Sequence, residues 1–188
     1  MKVRFITRTA VLLALVVVIQ TLGRVALAPA ISNYVVGPLV NACLLIAVAS
    51  TGFWSGASIA LLAPVGAVLT GALIPLAFVP VIGLGNLVLV LVFTLFNGWK
   101  MNLTTPIWRQ GTGMAAAALA KFGFLYAGVR IAVNSGFLGN LPQKQANGLI
   151  AAFSVPQLIT ALTGSIVALV IIRSLGMIYG KRNSPPVE

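Results

Sequence analysis

Residues Phe78–Phe96 read FVPVIGLGNLVLVLVFTLF, nineteen positions without a charged side chain. As an α-helix rising about 1.5 Å per residue, this stretch matches a hydrocarbon core about 30 Å thick. Outward from it lie further apolar stretches at Phe5–Leu27, Val35–Ser50, Phe53–Gly71, Gly111–Val133 and Gly148–Leu175. The second is short, with Pro38 near its start, where a first turn tolerates proline, and a tight Thr51-Gly52 break after it. Pro64 and Pro156 fall inside the third and sixth and are expected to kink them beside a cavity or a neighbour. The chain therefore reads as an all-α integral membrane protein. It is expected to be a multi-pass bundle of six transmembrane helices over residues 1–176, with a short basic, disordered cytoplasmic tail at 177–188.

Composition points the same way. Hydrophobic residues make up 60% of the chain and charged residues 7%, against roughly 25% charged in soluble domains. With a mean hydropathy of +1.09, the solvent for most of its surface must be lipid. Twelve Lys and Arg stand against one acid, Glu188, and there is no His. The bases come in ones and twos at helix ends, without the basic face that nucleic-acid binding requires. Their expected work is to anchor the chain at anionic headgroups and to set its topology. Cys43 is the single cysteine, which excludes disulfide frameworks and Cys-ligated metal sites.

Lys2, Arg4 and Arg8 followed by an apolar run and Ala26-Leu27-Ala28 also describe a secretory signal peptide. Against cleavage, the run outlasts a signal's apolar region, and Gln20 and Arg24 interrupt it as they would at the far interface of a retained helix. An even helix count puts both termini on one side. If that side is cytoplasmic, Lys2, Arg4, Arg8, Lys100, Arg109, Arg173, Lys181 and Arg182 lie inside. Arg24, Arg130 and Lys144 then lie outside and Lys121 lies within the membrane. This satisfies the positive-inside rule. Trp54, Trp99 and Trp108 share the inner interface, the depth that suits amphipathic indoles.

The same topology sorts polar residues by depth. Gln20 and Arg24 on the first helix, Asn33, Tyr34 and Asn41 on the second, and Asn86 on the fourth fall toward the outer side. Lys121, Tyr126 and Arg130 on the fifth helix run from mid-depth outward. Ser154 and Gln157 belong to the outer half of the sixth. Such residues can simply bond across helices, but their concentration at one depth on several helices suggests an outward-facing polar pocket. Lys121 is the sharpest signal, because a cation near the bilayer centre costs at least about 2.5 to 3.5 kcal/mol. No acid lies in the membrane to pair with it; either it snorkels toward the cytoplasm or it awaits an anion.

Small residues recur four apart at Ala10 and Ala14, at Gly52, Gly56 and Ala60, at Gly113 and Ala117, and at Thr160, Gly164 and Ala168. Such rows permit close helix contact within the bundle or with another protein. The first pair stands out, because it lies in the cytoplasmic half of a helix that needs only one side for packing within the chain.

Several short motifs extend this reading. They are Thr7-Arg-Thr-Ala-Val-Leu-Leu-Ala-Leu15 onward to Gln20, Val36-Gly-Pro-Leu-Val-Asn-Ala42, Gly52-Phe-Trp-Ser-Gly-Ala57, Ala63-Pro-Val-Gly66 and Gly83-Leu-Gly-Asn86. Together they resemble the substrate-binding S components of energy-coupling factor (ECF) vitamin transporters, over nearly the whole chain. The resemblance implies a six-helix membrane subunit that captures a vitamin from outside and docks through its first helix on a membrane T component coupled to two ATPases. Ala10 and Ala14 would carry the docking.

The chain has no Gly-x-x-x-x-Gly-Lys-Ser/Thr phosphate loop, so ATP hydrolysis would belong to those partners. A metal-dependent enzyme would need carboxylate or His ligands and a general base, and the sequence supplies only Glu188. Neither Ser154 nor Lys121, the formal nucleophiles, has a base beside it in the sequence. No cofactor or metal is expected. The rival reading is a small channel, secondary carrier or accessory subunit in the cell membrane; absence of intramembrane carboxylates weighs against an ion-coupled carrier. Arg24, Lys121 and Arg130 favour a ligand with a carboxylate or phosphate over a cation such as thiamine. Pantothenate, folate, biotin and a corrinoid stay open, with a lean to a small carboxylate such as pantothenate.

Overall fold

The computed structural model describes residues 2–71, 75–99, 105–135 and 142–182, and every regular element among them is helical. In chain order these are α1 (Lys2–Ala26), α2 (Pro29–Thr51), α3 (Phe53–Leu69), a 3-10 turn (Leu76–Phe78), α4 (Val79–Asn97), α5 (Ile107–Asn134), α6 (Gln143–Ala152) and α7 (Val155–Arg182). Five stretches are long and apolar enough to cross a bilayer: Val3–Ala26, Ile31–Thr51, Leu76–Asn97, Ile107–Asn134 and the α6–α7 stretch Gln143–Met177. The remaining apolar helix, α3, has 17 residues, or about 25 Å of rise.

Three boundaries differ from the sequence reading. The second span starts at Pro29, giving 23 residues, because a proline at the first helical position loses no hydrogen bond. Pro38 is therefore interior, and the carbonyl of Tyr34 lacks its helical donor. The sixth stretch is not one kinked helix: α6 ends at Ala152, and Pro156 sits in the first turn of α7. In the break, Ser154 Oγ donates to the Ala151 carbonyl at 2.7 Å, and the Ser154 carbonyl accepts the Gln157 N–H at 3.0 Å. Finally, α7 continues to Arg182, past the boundary placed at 176. Lys100 and residues 183–188 lie outside the described residues.

Interhelix contacts orient the bundle. Arg8 Nη1 donates to the Ser50 carbonyl at 3.1 Å, so α1 begins where α2 ends. A Cβ on Gly37 would meet Thr160 and one on Gly164 would meet Pro38 and Asn41, so α2 and α7 run parallel. The described chain thus starts and finishes at one end of the bundle, called here the near end. Gly52, at φ 106°, turns the chain sharply from α2 into α3, in a region where a side chain would be strained. At the near end Phe53 packs edge-on against Trp54 and Trp99. Trp54, Trp99 and Trp108 are all exposed, the placement expected of an interfacial belt.

The main core joins all the long helices and α3. It includes Val16, Leu44, Leu45, Ile59, Leu89, Val90, Phe93, Met114, Ala168 and Ile172. A smaller cluster at the far end, Phe78, Leu125, Val129 and Phe153, packs the 3-10 turn and the α6–α7 break onto α5. The rings of Phe78 and Phe153 stack there at 5.7 Å. Against this packed interior, α1 leaves Val3, Ile6, Val11, Leu15, Val18, Leu22 and Val25 exposed, a face suited to lipid or to another membrane protein.

A polar cavity floored by a buried lysine

Proline chemistry shapes the first part of the site. Pro64 lies inside α3 and has no N–H for the carbonyl of Ala60, one turn earlier. Asn86 of α4 reaches that carbonyl with Nδ2 at 3.4 Å. One turn along, Gln20 Nε2 of α1 donates to the Ala63 carbonyl at 3.0 Å. Two amides are thereby drawn to the proline-disrupted stretch of α3, which lines a cavity together with them.

The floor is built around Lys121 at the middle of α5. Its Nζ donates to Asn41 Oδ1 at 2.6 Å and to Asn86 Oδ1 at 2.7 Å, and the residue is only 4% exposed. The lysine is not without protein partners, as its isolation among apolar residues suggested, and it does not snorkel. Two neutral amides hold its hydrogens but carry no counter-charge. The positive charge stays uncompensated by any acid, because the chain has none in its helices.

Above this floor the cavity has a volume of about 430 Å³, within the range of sites for small organic ligands. Its polar wall comprises Gln20 and Arg24 of α1, Asn33, Tyr34 and Asn41 of α2, Asn86 of α4, Lys121 of α5, and Gln157 and Thr160 of α7. Its apolar wall includes Val36, Val40, Ala63, Pro64, Ala67, Pro75, Ile82, Leu149, Phe153 and Pro156. Below the floor the packed core closes the path toward the near end with Leu44, Leu45, Leu89, Val90 and Phe93, all fully buried.

Eight of the residues singled out from sequence therefore line one cavity: Gln20, Arg24, Asn33, Tyr34, Asn41, Asn86, Lys121 and Gln157. Tyr126, Arg130 and Ser154 do not line it. At 100° per residue, Arg130 falls half a turn away from Lys121 on α5. There it is exposed, with its guanidinium 4.5 Å above the half-buried Tyr126 ring. The Ser154 hydroxyl is bound to the α6–α7 break. Periodicity along α5 was the signal that separates Arg130 from Lys121.

Sequence reasoning missed Thr160 as a lining residue, and also Pro75, Leu149, Ala152 and Phe153, which carry no polar mark. It also placed most buried polar capacity toward the far end, whereas the near end holds a second layer. Gln110 is fully buried, and neither its Nε2 nor its Oε1 has a partner among the described residues. Asn97 Oδ1 of α4 and Arg173 Nε and Nη2 of α7 share that condition. Thr9 and Ser55 bond to each other at 2.8 Å across α1 and α3.

The small-residue rows divide, apart from Gly52, which is half-buried at the α2–α3 turn. Gly56, Ala60, Gly113, Ala117, Gly164 and Ala168 are buried inside the bundle, while Ala10 and Ala14 are exposed on α1. In comparisons with known proteins, no family model matches the chain, and neither a curated protein nor a solved structure matches it.

Proposed function

We propose that this chain is the substrate-binding S subunit of an ECF-type importer in the cell membrane. In this reading six passes place both termini in the cytoplasm, and the cavity opens outward to capture a water-soluble vitamin or related micronutrient. A small carboxylate such as pantothenate is the favoured ligand. The protein would hydrolyse nothing itself, relying on a T component and two ATPases. The observation that carries the reading is the cavity at the far end, with a buried cation in its floor and a sealed apolar core beneath. That arrangement favours a capture site over an open channel.

Charge placement supports the orientation. Arg8 caps the Ser50 carbonyl in the last turn of α2, and Arg109 Nε donates to the Phe96 carbonyl of α4 at 2.7 Å. Both bases therefore sit at near-end helix C-termini, where cations are favoured, and a near end rich in bases faces the cytoplasm under the positive-inside rule. A cysteine introduced beside Lys144 is expected to react with an impermeant maleimide added to intact cells, with tags on both termini protected. Labelling of an amino-terminal tag from outside would overturn the topology.

The exposed Ala10 and Ala14 support docking through α1. Changing either to Phe is expected to abolish co-purification with a T component and transport in reconstituted vesicles while the isolated chain still binds its vitamin. Loss of binding as well would make the pair part of the fold. The direct test of capture is mass spectrometry of small molecules released from the purified protein. A stoichiometric vitamin supports the reading, and no retained or added vitamin binding at all would sink it.

A further inference from the structure

The floor of the cavity leaves hydrogen-bond donors uncommitted, and what they could hold rests on the capture reading above. An ammonium group has three N–H donors. Two from Lys121 are committed to Asn41 and Asn86, and Lys121 lines the cavity, so its third is left for what enters there. The bond from Lys121 also sets the amide of Asn41, because the oxygen end must face the cation. Its Nδ2 then donates to nothing among the described residues and is not sealed in by protein, while Asn41 too lines the cavity. Asn86 is held differently: Oδ1 faces Lys121 and Nδ2 faces the orphaned Ala60 carbonyl. Both ends of that amide are occupied, so it fixes the lysine and offers the cavity little.

We propose that Lys121 and Asn41 form a paired-donor seat for one carboxylate of the ligand, with Asn86 as a positioning residue, and that uncharged amides at 41 and 86 set the cavity's preference for anions. The physical reason is charge balance. An ammonium at Lys121 coordinated only by neutral amides has no counter-charge in the protein, in a medium that screens charge poorly, so an arriving anion favours its charged form. A carboxylate that accepts from the third Lys121 N–H and from Asn41 Nδ2 supplies the counter-charge and two charge-assisted hydrogen bonds together. An aspartate at 41 would supply that charge from the protein itself. It would also replace a donor by a second acceptor, so an arriving carboxylate would meet repulsion where it now meets an N–H.

The test uses the purified full-length protein in detergent and matched pairs differing only at the acid: pantothenate with pantothenol, biotin with biotinamide, and nicotinate with nicotinamide. Binding is read by thermal shift and by titration calorimetry. Wild type is expected to respond to the acid of at least one pair at least about thirtyfold more tightly than to its neutral partner. Asn41→Asp is expected to lose that preference while remaining folded, because the introduced carboxylate pairs with Lys121. Asn41→Ala should weaken acid binding without favouring the neutral compound.

Asn86→Asp places the same charge on the other side of the lysine and should also remove the acid preference, which keeps the test decisive if Asn41→Asp fails to fold. Equal binding of acid and neutral partners by wild type, or an acid preference that survives in both aspartate variants, overturns the seat and leaves capture intact. No response of wild type to any compound, charged or neutral, counts against the capture reading itself.

Discussion

Lys121→Met is expected to weaken binding of a carboxylate ligand by about 2 to 5 kcal/mol, the usual loss when one partner of a buried charge pair is removed. The empty protein should be as stable as wild type or more so. Methionine nearly matches the lysine stem in length and volume and asks for no solvation. Lys121 is 4% exposed, its ammonium held by two amide oxygens and no acid, and desolvating such an ion costs several kcal/mol. Against this stand two lost hydrogen bonds, at about 1.5 to 3 kcal/mol each when one partner is charged. Asn41 and Asn86 can recover part of that loss, since both oxygens lie within bonding distance of one nitrogen and the amides can turn toward each other. Calorimetry with the best carboxylate and a melting curve without ligand separate the two effects. Unchanged affinity would make Lys121 a structural cation and remove the anion argument.

Gly164→Leu is expected to prevent assembly of the bundle, and Gly164→Ala to cost about 1 to 3 kcal/mol, as overpacking of a closed core does. A Cβ at 164 would lie 2.5 Å from the Pro38 carbonyl oxygen and 2.8 Å from the Asn41 Cβ. The first obstacle is backbone, so no rotamer relieves it, and α7 must move away from α2, one of the two most extensively packed helix pairs. Alanine's better helix propensity offsets at most about 1 kcal/mol. Because Asn41 forms part of the cavity floor, displacement of α7 should weaken binding too. Gly123 provides the control: it lies in α5 with nothing near an added Cβ, so Gly123→Ala should hold or raise the melting temperature. Equal effects at 164 and 123 would show that the α2–α7 contact yields more readily than its geometry implies.

The amino-acid sequence by itself determined that the chain is built of helices long and apolar enough to span a bilayer and roughly where they lie. It did not locate the start of α2 at Pro29 or the break after Ala152. Preference for lipid accumulates residue by residue along Phe78–Phe96 and its counterparts and depends little on what each helix touches. It also marked Asn41, Asn86 and Lys121 as costly at their depth, since an intramembrane polar group is anomalous wherever its partner lies.

Only the tertiary structure decided what those residues do. The hydrogen bonds of Lys121 span 80 positions to Asn41 and 35 to Asn86, and neither separation leaves a periodic trace. The amide of Asn86 found a carbonyl because Pro64, on another helix, had left it without a donor. Spacing alone does not tell Ala10 and Ala14 from Gly164 and Ala168; position on the first helix singled out the first pair, and the fold shows one row buried against α2 and the other on an exposed face. Insertion into lipid is a property of single helices, whereas partner choice among helices already in lipid depends on contacts of a few ångströms.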